Sequence, residues 1–118
     1  MSITMPVPDA PDEQWSRLLR GQLDGLRTGD RFDLTLFSNE RLRGTIDRLE
    51  HRGYLIAIVE NWNRALLTIF CETHEKAGML TIGCVLYGSM ADQAAVIEQR
   101  WRQSLTELFS EGREAASA

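Results

Sequence analysis

The apolar residues of this 118-residue chain change their spacing twice. Between residues 12 and 26, Trp15, Leu18, Leu19, Leu23 and Leu26 recur three or four apart, which puts them on one face of a helix. Between 31 and 87 the spacing falls to two, the period of a strand. From 90 to 109 it returns to a helical period, with Ala94, Ile97, Trp101, Leu105 and Leu108 in one stripe. A chain this short has room for one core, so helix, strands and helix must share it. The pattern predicts an α+β domain: an N-terminal helix, a five-stranded antiparallel meander sheet, and a long C-terminal helix packed on the sheet.

The five strands are expected at 31–37, 41–49, 54–60, 64–72 and 79–87. In the first, Phe32, Leu34 and Leu36 alternate with Asp33 and Thr35; in the second, Leu42, Gly44 and Ile46 oppose Arg41, Arg43, Thr45 and Asp47. Turns fall at Ser38-Asn39-Glu40, His51-Arg52-Gly53 and Asn61-Trp62-Asn63, with a longer polar loop at 73–78. Connections this short favour antiparallel neighbours. The third to fifth strands are apolar on both faces, so the terminal helices are expected to cover part of the second face.

Pro6, Pro8 and Pro11 make 1–11 read as a flexible, extended arm, and the polar, small-residue stretch 111–118 reads as a flexible tail. The single domain spans 12–110. Asp9 is placed to cap the first helix, Pro11 suits its first turn, and Gly21 and Gly25 weaken its second half. Ser89 is expected to cap the last helix, with Asp92 completing a capping box.

Seventeen acidic residues against thirteen basic ones give a net charge of −4, the wrong sign for a nucleic-acid-binding protein. No apolar run is long enough to insert into a membrane and no signal peptide opens the chain, so the expected location is cytoplasmic. Cys71 and Cys84 lie in apolar runs and read as buried thiols. With His74 they form the one set resembling soft-metal ligands, but a zinc site needs a fourth ligand or an open position held by three. Cys71 with His74 also has the makings of a nucleophile and base, without spacing that aims one at the other. The acidic residues of the last helix, Asp92, Glu98, Glu107 and Glu111, make a solvated face, and no glycine-rich phosphate loop is present. No metal, cofactor or catalytic set is assigned. His51, His74 and Tyr87 are the candidates should the chain be an enzyme, and none has a visible partner.

Trp101, Tyr87, Phe70 and Phe32 either close a core or line a space between sheet and helix. Gly44 and Gly83 favour the space, because a strand glycine often marks a bend that lets a sheet stand away from its helix.

Three segments, G-D-R-F-D-L-T-L at 29–36, V-E-N-W-N-R-A-L-L-T-I at 59–69 and L-Y-G at 86–88, together with E-Q-R-W-R-Q-S-L-T-E-L-F at 98–109, resemble the C-terminal part of START-like proteins, the SRPBCC or helix-grip superfamily. The resemblance covers 29–109 and implies an apolar cavity between sheet and terminal helix, used across the superfamily for lipid or polyketide binding, cyclase-like chemistry or chaperone activation. The function it implies is binding of a hydrophobic small molecule, lipid- or polyketide-like, with Leu67, Phe70, Tyr87 and Trp101 as ligand-binding residues. The superfamily begins with a strand, which 1–11 does not suggest. A sheet lacking it has an open edge, and open edges pair. A homodimer follows, and with it the alternative function: an acidic dimeric interaction or chaperone-like module without a small-molecule ligand.

Overall fold

The structure, a computed structural model, describes residues 1–51 and 53–117, with side chains as far as Ser110. Six strands form one antiparallel sheet, in the order β1-β6-β5-β4-β3-β2. They are β1 (Ser2–Val7), β2 (Arg31–Thr35), β3 (Arg41–Glu50), β4 (Tyr54–Val59), β5 (Ala65–His74) and β6 (Ala77–Val85). Helix α1 (Pro11–Leu19) follows β1, and α2 (Ala94–Ser117) ends the chain.

The α+β, helix-grip-like architecture is the one the hydrophobic periods predict, with one strand more. Ser2–Val7 lies at the sheet edge, paired from Ser2↔Gly83 to Val7↔Gly78. Ile3 and Val7 point into the core while Ser2, Thr4 and Pro6 face out. A proline is tolerated here because an edge strand has one side with no ladder bond to make. The end is fastened twice: the Met1 ammonium donates to the Cys84 carbonyl at 2.9 Å, and the Cys84 N–H donates to the Met1 carbonyl at 2.9 Å. The sheet edge expected to be open is therefore occupied by the chain's own first strand.

Other differences have local causes. Helix α1 stops at Leu19 because Arg20 and Gly21 adopt left-handed backbone, at φ 52° and 75°. Leu23 still reaches the core from the turns beyond. Asp9 does not cap α1; its carboxylate accepts from Arg17 Nε at 2.9 Å, and Ala10 is the N-cap. The polar loop expected at 73–78 is a two-residue hairpin turn, with His74 opposite Ala77 and Glu75 and Lys76 at φ 49° and 72°. Residues 88–93 form a 3-10 segment before α2, so Ser89 caps no α-helix. The backbone of α2 continues through most of the expected tail; the side chains of 111–118, residue Ala118 and Arg52 of the His51 turn lie outside the described residues.

Both helices serve the same side of the sheet. Trp15, Leu18 and Leu19 from α1 and Ile97, Trp101, Leu105 and Phe109 from α2 join the inward residues of all six strands in one core. Arg17 of α1 lies over the Phe109 ring of α2, 5.9 Å from its centroid. The second face, which the helices were expected to cover in part, carries none of the buried core.

Candidate functional site

Trp101 is the centre of the helix-grip contact. Its position in the α2 stripe turns it onto the sheet, where it is fully buried. The Trp62 ring stacks beside it, with centroids 6.0 Å apart and planes at 21°, and Phe37 meets it edge-on at 5.7 Å. Trp62 is held there by Asn61, whose side chain accepts from the Arg43 N–H and donates to the Arg41 carbonyl, both at 2.8 Å. That pair of bonds fastens the β4–β5 loop against β3.

The polar partner of this aromatic group is Glu40, in the β2–β3 turn. Its Oε1 accepts from Trp101 Nε1 at 2.9 Å and from Ser38 Oγ at 2.6 Å; its Oε2 pairs with Arg100 at 3.2 Å. The Glu40 side chain is only 18% exposed, so these bonds replace the water that the carboxylate gives up. Glu40 also lies near enough to Cys84 to oppose ionisation of that thiol. In the sequence, Ser38-Asn39-Glu40 reads as a solvated turn, and only the α2 indole 61 positions away gives Glu40 its role.

The four residues expected to bind a ligand do not come together. Leu67 and Trp101 are fully buried in the core, while Phe70 and Tyr87 are 42% and 50% exposed. Leu67 faces inward and pairs with Cys84, whereas Phe70 is on the opposite face with its ring edge-on to Tyr54 at 4.2 Å. Tyr87 borders an open depression of about 440 Å³ with Ile58, Asn63, Arg64 and Leu66. Gly44 and Gly83 bring neighbours closer instead of making room. A Cβ on Gly44 would lie 1.8 Å from the Ile58 carbonyl oxygen, and one on Gly83 would lie 2.8 Å from Thr68 Oγ1.

The uncovered face is ordered by the strand registers into transverse rows. One runs Arg31, Thr45, Ile58, Leu66, Val85; the next runs Arg48, Ile56, Thr68, Gly83; a third runs Glu50, Tyr54, Phe70, Thr81. A bulge at Asp47, between the pairs of Ile46 and Arg48, returns Arg48 to this side. The apolar side chains thus gather on β4 and β5, arginines stand on β2 and β3, and β6 adds Val85, Gly83 and Thr81.

A separate open cleft of about 770 Å³ lies between α1 and the 21–25 turns, bordered by Asp12, Glu13, Trp15, Asp24 and His51. His51 Nε2 bonds the Leu26 carbonyl at 2.9 Å, a contact that requires the proton on Nε2. His74 stands instead on exposed β5 backbone, 3.7 Å from Glu72, so the two histidines and Tyr87 form no common site. Cys71 and Cys84 are four positions apart along the β5–β6 ladder, roughly 14 Å at strand rise, with His74 beyond Cys71 on the far side from Cys84. Burial pushes the Cys71 thiol up to about 12 and the Cys84 thiol up to about 11.

No family model matches the chain, and no curated protein matches it. Solved structures do. DynU16, a protein of the dynemicin biosynthetic locus, superposes with a TM-score of 0.70 at 16% identity, over 93% of this chain and 45% of that one. This chain therefore spans less than half of that protein. The Aha1 dimer from Colwellia psychrerythraea gives 0.69 at 12% identity over 92% of both chains, and the AHSA1-like protein from Aeromonas hydrophila gives 0.56 at 15% over 99% and 94%. At such identities the likeness is one of fold. It takes in nearly the whole chain, β1 included, not the 29–109 stretch alone.

Proposed function

We propose that the chain is an interaction module: its inner face builds the fold and its uncovered sheet face meets a partner protein. The observation that carries this reading is the apolar group Ile56, Ile58, Leu66, Phe70 and Val85, side by side on adjacent strands with no helix over them. Contiguous apolar surface of this kind, half-buried at Ile56, Ile58 and Leu66 and exposed at Phe70 and Val85, marks contact sites more often than chance placement does. Phe70 and Tyr87 then serve at an outer surface. The two unbridged thiols suit a reducing compartment, so the proposed location is the cytoplasm. Affinity purification from cells of the source organism, with the native chain and with Leu66→Ser/Phe70→Ser, tests the reading. A protein retained by the first and lost by the second supports it; identical sets with equally stable baits refute it.

A second reading, binding of a hydrophobic small molecule between sheet and α2, is favoured by the Trp62–Trp101 stack with its single carboxylate, Glu40. Leu67 and Trp101 would line that site once the turn carrying Glu40 swung out. Native mass spectrometry of the purified protein separates the readings. An adduct of a few hundred daltons that quenches tryptophan fluorescence supports the second, and an adduct-free spectrum supports the first.

A further inference from the structure

We infer that the uncovered face receives an acidic amphipathic helix from a partner protein, laid along β4 and β5; this rests on the interaction reading above. The charge on the face is the first argument. Exposed charged residues of β2 and β3 are Arg31, Arg41, Arg43 and Arg48 against Asp33, Asp47 and Glu50. Asp33 is taken by Arg41 through two bonds, at 2.8 and 2.5 Å, and Glu50 by Arg48 at 2.8 Å. Arg31 makes no ion pair among the described residues, and its diagonal neighbour Arg43 stands directly opposite Asp33, whose carboxyl it helps Arg41 to hold low. In a chain of net charge −4, these two strands expose one more arginine than carboxylate. Carboxylates of a docked segment would find the unpaired Arg31 guanidinium there, and beside it Arg43, which shares Asp33 with Arg41.

Shape is the second argument. The apolar columns are Tyr54, Ile56 and Ile58 on β4, and Leu66 and Phe70 on β5. With Val85 on one flank and β3 on the other, the strip is two to three strand spacings wide, about 10–14 Å, which matches the diameter of one helix. Thr68 on β5 and Thr81 and Gly83 on β6 keep the surface low beside it. Three rows span about 14 Å, the length of roughly nine helical residues. A helix is the layer that completes a sheet already covered on its other side. A docked helix with leucines beneath and glutamates toward β3 would meet the apolar strip and the arginines together. A second copy docked on its own face would bring no acidic stripe to Arg31 and Arg43, which is why the occupant is assigned to another protein.

The test uses a synthetic 14-residue helix with leucines at i, i+3, i+4, i+7 and i+11 flanked by glutamates, and the same peptide with lysines for glutamates. Amide chemical shifts of the isotope-labelled full chain report where each binds. The glutamate peptide is expected to shift β4, β5 and the backbone of Arg31 and Arg43, and to bind at least about tenfold tighter than the lysine peptide at low salt, a gap that narrows as salt is added. Arg31→Glu/Arg43→Glu reverses the preference, and Leu66→Ser/Phe70→Ser abolishes binding without shifting the resonances of the inner core. Equal affinity for both peptides, or shifts confined to another surface, overturns the inference. So does a native dimer in which β4 and β5 amides become protected. If the serine variant loses a cellular partner while neither peptide binds, the interaction reading stands and this inference falls.

Discussion

Trp101 Nε1 donates to Glu40 Oε1 at 2.9 Å, joining the last helix to the β2–β3 turn across 61 positions of sequence. The indole is fully buried, so its N–H has no water to turn to if the carboxylate is lost. Glu40→Ala should therefore cost about 1–3 kcal/mol, the penalty of an unsatisfied buried donor. Glu40→Gln keeps an acceptor and gives up the ion pair with half-exposed Arg100, which is worth about 1 kcal/mol or less. Thermal unfolding should rank native, Gln and Ala in that order. Equal midpoints for Gln and Ala would show that charge, and not the acceptor, fastens the turn.

Gly44 and Gly25 are both glycines, with opposite reasons for being so. Gly44 has no room: an added Cβ would sit 1.8 Å from a backbone oxygen of β4, which no side-chain rotation can relieve. Gly25 has open space but a φ of +81°. Gly25→Ala should cost about 1–2 kcal/mol, the expense of left-handed backbone. Gly44→Ala must push β3 away from β4 and should cost more than the 1–3 kcal/mol typical of overpacking. Denaturant titration of both variants checks the order; a Gly44→Ala protein as stable as the native one would mean that the two strands separate easily.

How legible these features are in the sequence follows from the range of the interaction behind them. The α2 stripe is local and periodic: Ile97, Trp101 and Leu105 are buried as the spacing implies, Ala94 and Leu108 are half-buried, and Phe109 is buried beside them. Strand β1 has the strand period of two in Ile3, Met5 and Val7, yet three nearby prolines obscure it, because their tolerance depends on lying at an edge. The Glu75-Lys76 turn carries neither Asn nor Gly, the residues that announce a two-residue hairpin. Glu40 and Phe70 are misleading for a different reason. A turn glutamate acquires its partners only when α2 arrives, and a phenylalanine in a strand gives no sign of which face will lack a cover. The arginine pair Arg31 and Arg43 exists only through register.

Strand β1 is expected to guard β6 as well as to extend the core. Ile3→Ala removes a fully buried side chain and should cost about 2–5 kcal/mol. Deleting residues 1–7 does something the point substitution cannot: it frees the β6 edge, whose backbone groups would then seek another strand. Sedimentation should show the truncated chain self-associating where Ile3→Ala does not. If both behave as the native chain, β6 is protected by something other than β1.

The buried thiols give the fold a dependence on alkaline pH. Cys71 is raised to about 12 by burial alone, and Cys84 to about 11, mainly by burial, with Glu40 adding to the rise and the Met1 ammonium opposing it. Both begin from an ordinary value of 9.0, so between that pH and about 11–12 the unfolded chain releases protons that the folded chain retains. Stability from these groups is complete below pH 9.0 and declines as the pH rises through that window. The unfolding midpoint should fall over this range, and Cys71→Ala/Cys84→Ala should flatten that part of the profile despite a lower plateau from the lost packing. The same burial protects the thiols from chemistry. At pH 8 neither should react with a disulfide reagent in the native chain, and both should react once it is unfolded. Rapid labelling of the native protein would show that the β5–β6 end of the core opens far more often than its packing implies.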